Sequence, residues 1–135
     1  MSGNLSRSVI QPKNPNLNTS RNAGLPHSPG IRAGDYIFLS GMGPLNPETG
    51  ERDQGTIADQ VRRTLTNMKH MLESAGSSME RIVRVQVVLA DINDMDEMDR
   101  VYREFFPKDP PARTAWSMQL RFGNACEIEC VALAG

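Results

Sequence analysis

Arg81-Ile82-Val83-Arg84-Val85-Gln86-Val87-Val88-Leu89-Ala90-Asp91-Ile92-Asn93-Asp94-Met95-Asp96-Glu97-Met98 changes its hydrophobic period midway. That change decides the fold. Up to Leu89 the run is β-branched, with apolar and polar residues alternating at its start, as a half-buried strand requires. Past Asp91 the period becomes helical. Asp94 with Glu97 three residues later reads as a capped start, and Met95, Met98, Val101, Tyr102 and Phe105 share one face until Pro107 breaks the pattern. The methionines in that stripe read as core filling.

Upstream, Thr56 with Asp59 opens another helix, in which Ile57, Val61, Leu65, Met68 and Leu72 recur at helical spacing and Gly76 gives the stop signal. His70 on that helix reads as a surface residue. Before it, Gly34-Asp35 leads into the strand Tyr36-Ile37-Phe38-Leu39-Ser40, closed by Gly41, and Asn46-Pro47-Glu48-Thr49-Gly50 is a turn cluster. Residues 1–30 are rich in Asn, Ser and Pro, with Leu5, Val9 and Ile10 as their apolar cluster. They predict a short strand and then a long irregular arm, which is uncommon unless it covers something. Downstream of Pro110-Pro111, Ala112 to Leu120 and Ala125 to Ala134 predict two strands joined by a hairpin turn at Arg121-Phe122-Gly123-Asn124. The order is β, β, α, β, α, β, β, with a further short strand near residues 43–45.

This order predicts one α+β domain, residues 31–135, with the arm of residues 1–30 as part of it. Two helices cover one face of a mixed sheet in two layers. In the last strand Cys126, Ile128 and Cys130 share one face, and Glu127, Glu129 and Val131 the other. If the first set meets the helices, two carboxylates sit on an uncovered face, open to solvent or to a polar subunit contact.

A chain of 135 residues suits one domain. Fifteen basic against sixteen acidic residues, seven aromatics and no basic run longer than Arg62-Arg63 supply neither an electrostatic groove nor a stacking platform. Nucleic acid is therefore not an expected partner. The longest apolar runs fall far short of the ~20 residues of a membrane helix. No apolar segment follows Arg7, Lys13 and Arg21 as a secretory signal would need, so the expected address is cytoplasmic. Cys126 and Cys130 on one strand are about 13 Å apart, against a ~7 Å limit for a disulfide. His27 and His70, the two histidines, show no zinc-type spacing. Buried reduced thiols, no metal and no cofactor are the expectations.

Four segments taken together carry a resemblance: Phe38-Leu39-Ser40-Gly41, Leu89-Ala90-Asp91-Ile92-Asn93-Asp94-Met95, Pro111-Ala112-Arg113-Thr114, and Cys126-Glu127-Ile128-Glu129-Cys130-Val131-Ala132. In order and spacing they resemble the Rid (YjgF) family over roughly residues 30–134. The resemblance implies a chorismate-mutase-like fold and a homotrimer with active sites in the clefts between subunits. It also implies hydrolytic deamination of reactive enamines and imines, of the 2-aminoacrylate or 2-imino acid type, to 2-keto acid and ammonia. It places the family's carboxylate-binding arginine on Arg113, its late-strand glutamate on Glu127 after a one-residue contraction, and its Ser-Gly pair on Ser40-Gly41. Three positions depart: His27 stands where well-studied members carry tyrosine, Ala115 replaces a cysteine, and Asp99 replaces a helix asparagine.

The chemistry suits these residue types. A guanidinium clamps a planar carboxylate through two parallel hydrogen bonds and so orients the neighbouring C=N carbon for water. A carboxylate can hold that water and move protons. Without the resemblance, Arg113 reads first as an ion-pair partner of Asp109 or Glu104; the resemblance reverses that order. Glu129 rivals Glu127 on the same face. His27 reads as a substrate contact or a surface histidine, and Ser40 as a hydroxyl or N–H donor to substrate or as turn chemistry. If residues 112–134 form a tight hairpin, residue 127 lies opposite about residue 118, some 17 Å from Arg113 along the strands. The two groups would then meet only across a subunit boundary, unless a bulge shifts the register or Glu127 is not catalytic. The alternatives are a non-catalytic trimer that holds small carboxylates, and a ribonuclease or translation inhibitor, against which the composition speaks.

Overall fold

The computed structural model describes residues 6–135, so Leu5 of the expected first strand lies outside the described residues. The elements in chain order are β1 (Arg7–Ile10), α1 (Thr19–Asn22), β2 (Gly30–Ala33), β3 (Tyr36–Met42), α2 (Ile57–Ser74), β4 (Ile82–Leu89), α3 (Met95–Phe105), β5 (Ala112–Ser117) and β6 (Cys126–Leu133). The strands make one open sheet in the order β1-β2-β3-β6-β4-β5. Only β4 and β5 run parallel, because α3 carries the chain back between them; every other neighbouring pair is antiparallel.

The helices form for the reasons their sequence gives, with one exception. Thr56 Oγ1 accepts the N–H of Asp59 at 3.1 Å, and Gly76 ends α2 with a φ of +80° that a side chain would resist. Asp94 makes no capping hydrogen bond. Asp91 does so instead, accepting the N–H of Asn93 at 2.9 Å and opening a 3-10 turn that leads into α3.

The expected hairpin between the last two strands does not exist. After Ser117 the chain crosses the end of β4, with Met118 N–H donating to Leu89 and Ala90 N–H donating to Ala125. It then returns on the other side, between β4 and β3. The reason lies in β6 itself: its alternate residues Cys126, Ile128 and Ala132 are fully buried, so it belongs at the sheet centre, whereas β5 has the exposure of an edge strand. Sequence reasoning also missed β2, whose Gly30 lets Leu39 pack where a Cβ would come within 2.8 Å of it. The expected strand near residues 43–45 is a single bridge, Leu45 to Arg52. His70 is no bare surface residue: its Nε2 accepts the N–H of Asn14 at 3.0 Å and so tethers the arm.

One face of the sheet is sealed by Val61, Leu65, Met68 and Leu72 of α2 and Met98 and Val101 of α3, packed on Ile37, Val85, Val87, Leu89 and Ile128. Leu65 is completely buried. Replacing it with alanine should cost about 2–5 kcal/mol, read as a lower denaturant midpoint at unchanged slope. Cys126 and Cys130 are free, and burial pushes their thiols up to about 11 and about 12. Among the described residues no helix is long and apolar enough to cross a membrane, and no cluster of three or more His, Cys, Asp or Glu could hold a metal ion.

Candidate functional site

The alternation of β6 points Glu127 and Glu129 to the face without helices. There they line a cleft of about 520 Å³ together with His27, Ser40 and Gly41. That volume is in the range of small-molecule sites. Four of the five residues singled out from sequence therefore share one cavity. The loops around it are anchored from below by buried amides of α2: Asn67 donates to Leu45 O at 2.8 Å, and Gln60 accepts the N–H of Ala125 at 2.9 Å.

Gly41 has a steric reason to be glycine. The β3–β6 register slips between Leu39 and Met42, and the Glu127 carboxyl group lies against the bare α-carbon of Gly41. A Cβ there would sit 2.9 Å from Cδ and 3.1 Å from Cγ of Glu127. Gly41→Ala should therefore displace the Glu127 carboxylate while leaving the fold intact, a shift readable in the NMR signal of that carboxyl group beside an unchanged circular-dichroism spectrum.

Ser40 gives both of its donors to the arm: its N–H goes to Pro29 O at 3.0 Å and its hydroxyl to Ser28 O at 2.6 Å. What it can present to the cleft is an acceptor oxygen, not the donor expected from sequence. Burial, reinforced by the like charge of Glu129, raises the pKa of Glu127, while His27 pulls it down. A carboxyl group held in this way is a better proton acceptor than an exposed one.

Arg113 lies elsewhere. Its register partner is Val85, whose side chain is on the helix side, and Arg113 Nη1 donates to Asp99 Oδ1 of α3 at 2.6 Å with its guanidinium 4.8 Å from the Tyr102 ring centroid. The ion-pair partner is thus Asp99, neither Asp109 nor Glu104; Glu104 pairs with Arg62 at 2.8 Å. This second, shallower recess of about 240 Å³ is bounded by Asp99, Tyr102, Phe106 and Pro111. Glu127 pairs with Val88, three residues along β4 from Val85, and β4 itself lies between the two strands that carry the groups. Their Cα atoms are therefore roughly 14 Å apart, with side chains on opposite faces of the sheet. The separation expected from sequence holds, but it comes from the register of β6 and β5 on either side of β4, with the side chains on opposite faces, and not from a hairpin.

The cleft also holds residues that sequence reasoning passed over. The guanidinium of Arg52 stacks 3.7 Å from the Phe122 ring centroid, and that of Arg121 4.6 Å from the same ring. Arg121 and Phe122 had been read as turn residues, and Arg52 sits in no motif. Its bridge to Leu45 is what brings it to the cleft.

The model of the family described as endoribonuclease L-PSP matches residues 19–134. A RutC family protein of Pyrococcus horikoshii is 42% identical over 108 residues, covering 79% of this chain and 86% of that protein. The human 2-iminobutanoate/2-iminopropanoate deaminase is 33% identical over 111 residues, covering 82% and 81%. The crystal structure of the YjgF gene product of Escherichia coli superposes with a TM-score of 0.84 at 30% identity, covering 95% of this chain and 99% of that one.

Proposed function

The chain belongs to the Rid/YjgF/RutC family, whose general activity is enamine and imine deamination, and from that premise we propose that it hydrolyses 2-aminoacrylate- or 2-imino-acid-type intermediates to 2-keto acid and ammonia. The carrying observation is the Glu127 carboxyl group, desolvated and set against Gly41 at the floor of an open cleft.

Because Arg113 projects from the opposite face, the working site is assembled between subunits of a homotrimer. The Arg113 recess of one subunit closes the Glu127 cleft of the next. Tyr36, Phe38, Trp116 and Leu133, all more than a third exposed on or beside the helix-free face, supply the apolar surface such packing would cover. Arg113 grips the substrate carboxylate by its fork and leaves the C=N carbon facing Glu127. Glu127 takes a proton from water as the C–O bond forms and the C=N electron pair moves to nitrogen. It returns that proton to nitrogen to give the carbinolamine, then takes the carbinolamine hydroxyl proton and passes it to the amine, so that the C–N bond breaks, ammonia leaves and the oxygen lone pair forms the keto group. An enamine enters after tautomerising to its imine. Of the departures at His27 and Ala115, His27 lines this cleft, whereas Ala115 packs against the core and lines neither recess.

The test is release of ammonia from imines generated in situ by an amino-acid oxidase, across side-chain classes. If Glu127 is the base, the acid limb of kcat/KM lies above the usual glutamate value of 4.5. Glu129→Gln removes a like charge and moves the limb down; His27→Ala removes a neighbouring positive charge and moves it up. A limb indifferent to both would assign the base elsewhere. The Arg113–Asp99 ion pair favours a second reading, a trimer that holds small carboxylates without turnover. Binding of 2-oxobutanoate without any ammonia release would select it.

A further inference from the structure

Arg52, Phe122 and Arg121 form a layered group inside the 520 Å³ cleft, two guanidiniums over one ring, and the clamp-and-base chemistry above uses none of them. Two cations beside one aromatic ring repel each other, and contact with the ring does not cancel a unit of charge. Among the described residues neither guanidinium has a carboxylate within 4.0 Å; of the two acids flanking Arg52, Glu51 pairs with neither guanidinium and Asp53 pairs with Arg63 at 3.6 Å.

The group is also held in place at some cost. Phe122 has a φ of +65°, a left-handed conformation that an aromatic residue rarely adopts, followed by Gly123 at +71°. Such strain persists where surrounding structure over-determines it, and it concentrates at ligand clamps. Arg52 is fixed from the opposite side, because Asn46 N–H donates to Glu51 O and Asp53 N–H to Pro44 O, both at 2.7 Å. Beside them Asn124 is buried with its Oδ1 unpaired, so the loop keeps a further polar group at the cleft. The cavity therefore carries acid at Glu127 and Glu129 and uncompensated positive charge at Arg52 and Arg121.

We propose that the Arg52–Phe122–Arg121 cluster is a second anion subsite, one that takes the side-chain carboxylate of a dicarboxylic 2-imino acid of four or five carbons. The assignment rests on the deaminase reading for its chemistry: Arg113 of a neighbouring subunit holds the α-carboxylate, and the distal carboxylate reaches the arginine pair. Guanidiniums pre-stacked on a ring present their forks with little rotamer freedom left to lose, which suits a planar carboxylate better than a flexible ammonium would.

The test compares two imines of equal carbon number, made in situ by oxidases from glutamate and from norvaline, on the wild-type protein and on an Arg52→Gln/Arg121→Gln variant. Calorimetric binding of 2-oxoglutarate and of 2-oxopentanoate runs in parallel. The expected result is a wild-type preference for the glutamate-derived imine. The double variant should reduce the ratio of the two kcat/KM values about 10- to 100-fold, the factor that loss of a charge-assisted contact carries. Phe122→Leu, which unstacks the pair, should reduce the same ratio by a smaller factor. Because the readout is a ratio, a partly unfolded variant does not mimic the effect. Equal wild-type rates for the two imines, or a ratio and a 2-oxoglutarate affinity that the double variant leaves unchanged, would overturn the subsite while leaving deamination standing. Binding of 2-oxoglutarate that weakens in the double variant, with no ammonia from either imine, would overturn deamination and leave the subsite standing.

Discussion

Arg113→Ala should lower kcat/KM for imine hydrolysis by about 10³-fold, the scale set by losing two charge-assisted hydrogen bonds to the substrate carboxylate. The fold should survive, because the Asp99–Arg113 pair sits at the edge strand β5 with both side chains about a quarter exposed, so Asp99 keeps water as a partner once the guanidinium is gone. Arg113→Lys should recover little, since an ammonium cannot reproduce the fork. The same geometry makes Asp99 a competitor for the guanidinium. Asp99→Asn should therefore lower KM more than it changes kcat, as a neutral neighbour leaves the full positive charge to the substrate. Steady-state kinetics with oxidase-generated imines would show both effects. An alanine variant working at the wild-type rate would remove Arg113 from the site.

Mixing Arg113→Ala subunits with Glu127→Gln subunits should regenerate activity from two dead proteins. Each chain places Arg113 on the helix side of β5 and Glu127 on the bare side of β6, so the proposed site, which uses both, draws one residue from each of two neighbours. At a 1:1 ratio with random exchange, about a quarter of the interfaces combine an intact arginine with an intact glutamate, and recovered activity should approach that fraction. Activity that stayed at zero after exchange had been verified by mass spectrometry would mean that both residues act within one chain. Glu127→Gln should also be more stable than wild type at neutral pH. The raised pKa of Glu127 means that its stabilising contribution is present below the unfolded glutamate value and is lost as pH rises through the folded one. Loss of activity together with a gain in stability separates a site residue from a structural one.

The two long helices, α2 and α3, and the face of β6 were legible in the sequence because periodicity reports burial directly: Val61, Leu65 and Met68 at helical spacing, and Cys126, Ile128 and Cys130 at strand spacing, are all buried, whereas the four-residue α1 is too short to show a period. Pairing partners were not legible. Alternation says which way a side chain points but not which strand lies beside it, so Arg121 to Asn124 looked like a hairpin when the chain was crossing the end of β4. For the same reason Arg52 and Phe122, distant in sequence and unremarkable in type, gave no hint that they stack. Arg113 and Glu127 were found by resemblance; that they lie on opposite faces could come only from the register of β4 with its two neighbours.

The central place of β6 bears on how the chain folds during synthesis. β3 and β4, the two strands it joins, are made well before it, and until β6 emerges each has an unpaired inner edge and a half-covered apolar face. The β1–β2–β3 meander and the β4–α3–β5 unit can form early from local contacts, but the core cannot close without the final segment. The nascent protein should therefore linger on the ribosome as two unjoined parts with exposed edges, the state in which chaperones bind and chains aggregate. A premature stop after Asn124 should leave two stranded halves rather than a slightly weakened domain.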